Sequence, residues 1–323
     1  MKSIKIGVLS TAKIAREKVI PAIQKARNCE VAAIASRNLE KAKETAVHLG
    51  IQKAYSSYEE LLADPGIDAV YIPLPNHLHV QWSIRSLEAG KHVLCEKPVG
   101  MNAADAHKLL AESKKYPHLK MLEAFMYRYH PRWKRTVELV RAGIIGDIKA
   151  VHSFFSYYND DPENYRNSAE MGGGGLMDVG CYSISVARLI FGRKPIFATG
   201  VSEMDPDFNI DRLTSGLMDF ETGTSVFTCS TQCYKDQYVK ILGTKGKIEL
   251  DWPFNPDFAK PTLLKGVIDD DNYFTEEFEP CDHFTLQAEA FANCILNDEP
   301  ASLSLEDSIE NMEVIDQIRN SSK

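Results

Sequence analysis

The chain has 323 residues, beyond the size at which one hydrophobic core usually keeps growing, so two domains are expected. Hydrophobic residues make up 44% and charged residues 25%, which excludes a disordered or fibrous chain. A net charge of −8 without any block of Lys and Arg excludes a nucleic-acid partner, and the lack of a run of about 18 apolar residues excludes a membrane span, so a cytoplasmic protein with small-molecule partners is expected.

Up to residue 124, short apolar runs alternate with helical periodicity, the pattern of βαβ units and a parallel sheet. Ile4 to Leu9 reads as a buried strand followed by helix, and Cys29 to Ala35 as the second strand. Leu39 to Leu49 follows as a helix, with Leu39, Ala42, Ala46 and Leu49 on one face. The rhythm repeats with a strand at 69–72, a helix at 77–89 stopped by Gly90, a strand at 92–95, a helix at 102–115 and a strand at 121–124. After Pro131 comes one helix (132–142), then longer alternating strands at 150–157, 212–220, 225–231 and 238–242, the texture of a mostly antiparallel sheet. GTKGKIEL at 243–250 supplies a hairpin, and helices at 282–297 and 305–319 close the chain, the second capped by Ser304 with Asp307 three residues on. The fold class expected is therefore an α/β Rossmann domain with a doubly wound parallel sheet (1–124) plus an α+β domain with a large open, mostly antiparallel sheet (125–323), the latter for substrate and oligomerisation. Seven cysteines, an odd and scattered set, suit reduced thiols.

In a Rossmann unit the turn after the first strand needs small residues, because the backbone approaches the cofactor pyrophosphate. Here GVLSTAKIA at 7–15 puts Ser10, Ala12 and Ala15 where glycines are usual. At the end of the second strand an acidic residue would accept hydrogen bonds from the ribose hydroxyls of NAD. That position reads Ser36, Arg37 and Asn38, a hydroxyl and a guanidinium suited to a 2′-phosphate, so NADP is the expected cofactor with NAD as the second choice. PLPNHLH at 73–79 and CEKPVG at 95–100 follow two successive strand ends and deliver polar groups, Lys97 among them, to the same sheet edge. In GGGGLMDVGCY at 172–182, a glycine run precedes Asp178 and Tyr182, which share one helix face at a spacing of four. The glycine run is expected to contact a ligand.

These motifs, with EAFMYRYHPRW at 123–133 and the GTKGKIEL hairpin, make the chain resemble the Gfo/Idh/MocA family over nearly its whole length. It is most similar to the branch of dihydrodiol dehydrogenases, D-xylose dehydrogenases and glucose-fructose oxidoreductase. Tyr182, where many members carry His, points to that sugar and dihydrodiol branch. The resemblance implies a nicotinamide-dependent oxidoreductase that moves a hydride between the cofactor and a hydroxyl or carbonyl carbon of a sugar, polyol or cyclic diol, and a homodimer. It also implies a cofactor-binding set of Ser10, Thr11, Ala12, Ile14, Ser36, Arg37, Pro73, Leu74, Asn76, His79, Glu96 and Lys97, and substrate contacts from Arg128, Arg166 and Asp178.

Removing a hydride from a CH–OH carbon requires a base for the hydroxyl proton. Tyr182 is the candidate. A tyrosine's pKa near 10 is too high for this role unless an adjacent ammonium favours the phenolate, and Lys97 would supply that charge and steady the developing alkoxide. Asp178 either orients Lys97 or binds a neighbouring substrate hydroxyl, and sequence leaves both roles open. A non-catalytic dinucleotide-binding sensor of the same fold is the competing reading, disfavoured because both Lys97 and Tyr182 are present. No metal is expected, since His77 and His79 lack a third ligand at useful spacing.

Overall fold

The computed structural model describes residues 3–269 and 271–321, and the chain forms two compact units. The first comprises Met1–Met126 and Asp282–Ile309, the second Tyr127–Cys281 and Glu310–Lys323.

The first unit holds a six-stranded parallel sheet of β1 (Ile4–Leu9), β2 (Cys29–Ala35), β3 (Lys53–Tyr55), β4 (Ala69–Ile72), β5 (His92–Cys95) and β6 (Met121–Glu123), in the order β3-β2-β1-β4-β5-β6. This is the doubly wound arrangement, with the strand order reversing between β1 and β4, where such sheets bind ligands beyond their carboxyl ends. Parallel strands are covered on both faces, which is why β4 reads as an unbroken apolar run and is buried at every position. The intervening helices are α1 (Ile20–Lys25), α2 (Leu39–Leu49), α3 (Tyr58–Ala63), α4 (His79–Glu88) and α5 (Ala103–Ser113). Side-chain caps start three of them: Asn38 accepts from the Lys41 amide, Ser57 from Glu60 and Asn102 from Asp105. Gly7 has to be glycine, because a Cβ there would meet the Leu61 side chain of α3 at 2.5 Å.

In the second unit, α6 (Pro131–Arg141) and α7 (Cys181–Phe191) pack with an eight-stranded sheet. Its strands are β7 (Ile148–Tyr158), β8 (Phe197–Met204), β9 (Asp211–Asp219), β10 (Thr224–Ser230), β11 (Gln232–Gly243), β12 (Gly246–Asp251), β13 (Thr262–Ile268) and β14 (Asn272–Phe278). The order is β14-β13-β12-β11-β7-β10-β9-β8, antiparallel throughout except for the parallel pair β7 and β10. The buried face carries Val151, Phe227, Met218, Val239 and Ile241, and burying each such side chain contributes roughly 1.5–3 kcal/mol. The expected fold class is what the structure has.

The last two helices, α8 (His283–Leu296) and α9 (Leu305–Ser321), divide differently from the sequence expectation of a single second domain over 125–323. Phe284, Ala288 and Phe291 form a buried helical stripe on α8, and Thr285 donates to the Ala22 carbonyl of α1, so α8 belongs to the first unit. Ser304 caps α9 by accepting from the Asp307 amide. Residues from Glu310 onward join the second unit, where Asn311 donates to the Cys181 carbonyl and Glu310 pairs with Arg188. The return of a distant segment to the first core carries no local signature, which is why sequence missed it.

Candidate active site

In the first unit, the expected cofactor residues sit on the loops that leave β1, β2, β4 and β5 at the carboxyl edge of the sheet. Ser10 follows β1 with φ of 128°, a region that favours glycine, so the first fingerprint position keeps its backbone shape although its residue has changed. Thr11 offers its carbonyl to the Arg16 side chain, and Ala12 starts the next helix by accepting from the Arg16 amide. Ile14 precedes a π-helical turn (Ala15–Val19), a feature common at functional positions.

At the end of β2, Ser36 is buried and its hydroxyl accepts from the Asn38 amide at 3.2 Å, while Arg37 is exposed. Tyr58, the first residue of α3, joins this corner. Burial raises its pKa, while nearby Arg37 and a hydrogen bond with the Ser10 side chain oppose that rise. Sequence reasoning did not single out Tyr58. Its only signal was a tyrosine directly after the Ser57 cap, which reads as core. Together a positively charged exposed Arg37, the hydroxyls of Ser36 and Ser10, and a backbone shaped like a glycine turn fit a nicotinamide dinucleotide at this edge.

The loops after β4 and β5 are bound to each other. Pro73, Leu74 and Asn76 are buried, and the Tyr71 hydroxyl donates to the Glu96 carboxylate at 2.7 Å. Lys97 is half-buried, between Glu96 and Pro98, and the Lys97–Pro98 peptide is cis. His79 departs from its expected role in cofactor contact: it is wholly buried, with Nδ1 2.7 Å from the Pro98 carbonyl and Nε2 2.7 Å from the Leu74 carbonyl. The cause is its place at the start of α4, which turns the ring into the sheet edge and away from solvent.

In the second unit, the glycine run 172–175 leads into a π-helical turn (Leu176–Gly180) and then α7. The run has a structural cause that differs from the expected ligand contact. A Cβ at Gly173 would strike the Arg166 carbonyl, and one at Gly174, where φ is 106°, would strike the Asp211 carboxylate. That carboxylate, largely buried in β9, accepts from the Leu176 amide at 2.6 Å and from Thr214 at 2.8 Å, so it pins the start of the helical segment.

Asp178 and Tyr182 are both buried on this segment, one turn apart. The Tyr157 hydroxyl donates to Asp178 Oδ2 at 2.5 Å, and Arg166 Nε lies 3.0 Å from Oδ1. Arg166 is thus paired with Asp178, the other residue expected to contact substrate. Burial works against its charge, but Asp178, Tyr165 and Tyr157 outweigh burial and raise its pKa further. Arg128 is likewise directed inward, donating to Ser185 at 2.8 Å and to the Tyr127 hydroxyl at 3.3 Å. The ring of Tyr182 is walled by Phe254, Phe155 and Tyr127, with centroids 5.3, 5.5 and 5.9 Å away. Tyr157, missed in the sequence, stands at the end of a long strand where alternation alone gives its partner no trace.

The sequence signature of an oxidoreductase family with an NAD-binding Rossmann fold matches residues 4–123, and that of the GFO/IDH/MocA C-terminal domain matches 133–249. The chain belongs to the Gfo/Idh/MocA oxidoreductase family. Within this family it is 41% identical over 330 residues to the uncharacterized oxidoreductase ORF334 of Rhizobium meliloti, covering 100% of this chain and 98% of that protein. It is 38% identical to D-xylose 1-dehydrogenase (NADP(+)) 2 of Haloferax volcanii, covering 98% of this chain and 97% of the relative. Among solved structures, it resembles KijD10, a 3-ketoreductase from Actinomadura kijaniata in complex with NADP and TDP-benzene, with a TM-score of 0.93, 28% identity and coverage of 100% and 98%. Among the described residues, no helix is long and apolar enough to cross a membrane.

Proposed function

We propose that this Gfo/Idh/MocA protein is an NADP-preferring dehydrogenase or reductase acting on a CH–OH group of a sugar, polyol or cyclic diol. The observation that carries the reading is a buried tyrosine, Tyr182, one helical turn from an aspartate whose two oxygens are held by Tyr157 and Arg166. The xylose activity of the Haloferax relative and the ketoreductase function of KijD10 support a sugar-like substrate. Hydride exchange with the substrate carbon is the chemistry the bound dinucleotide supplies. Tyr182 takes the hydroxyl proton in oxidation and returns it in reduction, and the Lys97 ammonium favours the phenolate that this exchange requires. Asp178, fixed on both oxygens, accepts a hydrogen bond from a neighbouring substrate hydroxyl with its remaining lone pairs. Ser36 and Arg37 receive the 2′-phosphate, which sets the NADP preference.

We further propose a homodimer formed through the open face of the eight-stranded sheet. There Val201 is 67% exposed, and Leu217 and Val226, paired across β9 and β10, are 39% and 38% exposed. Exposed apolar side chains on an open sheet face suit a partner copy. A Leu217→Glu variant sedimenting as a monomer would support the dimer, and a wild-type protein that is itself monomeric at micromolar concentration would remove it.

The enzymatic reading is tested by a screen of aldoses, ketoses, inositols and dihydrodiols with both nicotinamide dinucleotides, followed by nicotinamide absorbance. Turnover of a polyhydroxylated compound, faster with NADP at limiting cofactor, is expected. Tight dinucleotide binding without turnover on any compound would favour a sensor.

A further inference from the structure

The loop that carries Lys97 leaves the sheet where backbone pairing between its neighbours runs out. β5 and β6 pair from Val93 with Met121 to Cys95 with Glu123, and the Ala124 amide closes the ladder on the Cys95 carbonyl at 2.8 Å. On the other side the Glu96 amide donates to the Ile72 carbonyl at 3.1 Å, and β4 ends there. β6 ends at Glu123, and the chain turns away at once, with the Phe125 amide donating back to the Glu123 carbonyl at 2.9 Å. Three residues past Glu96, the Val99 amide donates to a side chain instead, Glu123 Oε1, at 2.8 Å. The carboxylate thus extends the β5–β6 edge to a residue that the parallel ladder does not reach.

Glu123 is 2% exposed. Burying a carboxyl group is unfavourable unless it is hydrogen-bonded, and an amide bonded to an ionised acceptor is held more strongly than one bonded to a carbonyl. Oε1 accepts whether the group is ionised or protonated, so the bond to Val99 does not depend on the charge state. Two attachments therefore stand on either side of Lys97 and Pro98: Glu96 to Ile72, and Val99 to Glu123. The first joins backbone to backbone and survives any substitution that keeps the strands. The second rests on one side chain, 24 residues further along the chain from Val99, and can be removed by itself.

We propose that Glu123 is a positioning residue for Lys97, fixing the ammonium in place by accepting the Val99 amide at the far end of the loop. The proposal deepens the oxidoreductase reading and rests on it only for the role of Lys97. Buried at the end of β6, Glu123 acts on the reaction through the loop alone. Loss of its oxygen should spare dinucleotide binding and misplace the lysine.

The test uses the full chain and a readout that needs no turnover. Lysine side chains are labelled with carbon-13 at Cε, and the Lys97 signal, assigned by its loss in Lys97→Ala, is titrated in Glu123→Gln and in Glu123→Met. Both substitutions remove any charge at position 123, and only glutamine keeps an oxygen for the Val99 amide. A difference between the two variants therefore reports the lost bond and not the lost charge. The Lys97 midpoints are expected to differ by about 0.5 or more, and equal midpoints overturn the proposal whatever happens to activity. In kinetics, kcat is expected to be about tenfold lower in Glu123→Met than in Glu123→Gln, with the NADP Kd of both within about threefold of wild type. In the Lys97→Ala background the two substitutions are expected to give equal rates, and a tenfold gap persisting there would also overturn it. If Lys97→Ala alone keeps wild-type kcat, the catalytic role of Lys97 fails, and the titration still decides on Glu123. Should Glu123→Met not fold, Glu123→Leu goes through the same measurements, and failure of both to fold would overturn the positioning role in favour of a purely structural one. Failure of Glu123→Gln to fold would overturn it as well, since an oxygen in place would then not suffice.

Discussion

Lys97 sits on a loop whose backbone is held by the Ile72 carbonyl, His79 and Glu123, whereas Tyr182 sits on a helical segment with three aromatic rings around it and an anchored Asp178 one turn away. The difference follows from architecture. At the edge of a parallel sheet, successive loops leave neighbouring strands and can brace one another through carbonyls and amides. The segment before α7 is held partly by backbone, with the Gly174 amide donating to the Arg166 carbonyl and Gly173 to Ser168, and partly by side chains, with glycines letting it lie against Arg166 and Asp211. Damage should therefore show differently in the two units: a lost brace moves a loop, and a lost side chain removes one interaction.

The largest effect is expected on the first side. Lys97→Ala and Lys97→Met should each lower kcat by about 100-fold or more, since charge and not bulk is what the lysine supplies. Equal rates for Lys97→Met and wild type would contradict a catalytic role for the lysine's charge.

Next is acid stability, to which each unit contributes a buried histidine. His79 and His130 are buried, and burial lowers both pKa values to about 4 from the usual 6.5. Unfolding exposes them to protonation, so the stability they contribute is present above pH 6.5 and is lost as pH falls toward 4. Melting followed by circular dichroism should show a loss on the order of a few kcal/mol across that window. The decline should be shallower in His79→Gln, and an identical decline would deny His79 its share.

How far the sequence revealed this division can be judged from single residues. Strands β1, β2, β4 and β5 begin and end where periodicity placed them, and Asn102 caps its helix because capping is decided within four residues. Lys97, Asp178 and Tyr182 came from motifs at strand ends and on one helix face. His79 was misread as a cofactor contact because a polar residue in a ligand-edge motif looks the same whether it faces inward or outward. The structural need for the glycine run was not legible, because the Arg166 backbone and Asp211 are brought near only by tertiary folding. Tyr58, Tyr157 and the return of α8 depend on partners far along the chain, which no local pattern encodes.

Smaller effects sharpen the contrast. Arg37→Ala should weaken NADP by about tenfold or more and NAD much less, as measured by fluorescence titration, because a charge-assisted pair with a phosphate is worth about 1.5–3 kcal/mol. Equal losses for both cofactors would restrict Arg37 to the adenine. Tyr157→Phe should raise the substrate KM several-fold with little change in NADP affinity, since it removes one hydrogen bond to Asp178. A change in NADP affinity instead would remove Asp178 from the substrate.

The proposed chemistry depends on Tyr182 as the group that exchanges the substrate proton. The most direct measurement compares wild type and Tyr182→Phe under NADP saturation with the best substrate from the screen, with NADP affinity determined separately. A rate lower by about 100-fold or more is expected with NADP binding unchanged, because the phenylalanine keeps the ring among Phe155, Phe254 and Tyr127 and loses only the hydroxyl. A Tyr182→Phe rate equal to wild type at neutral pH would contradict it.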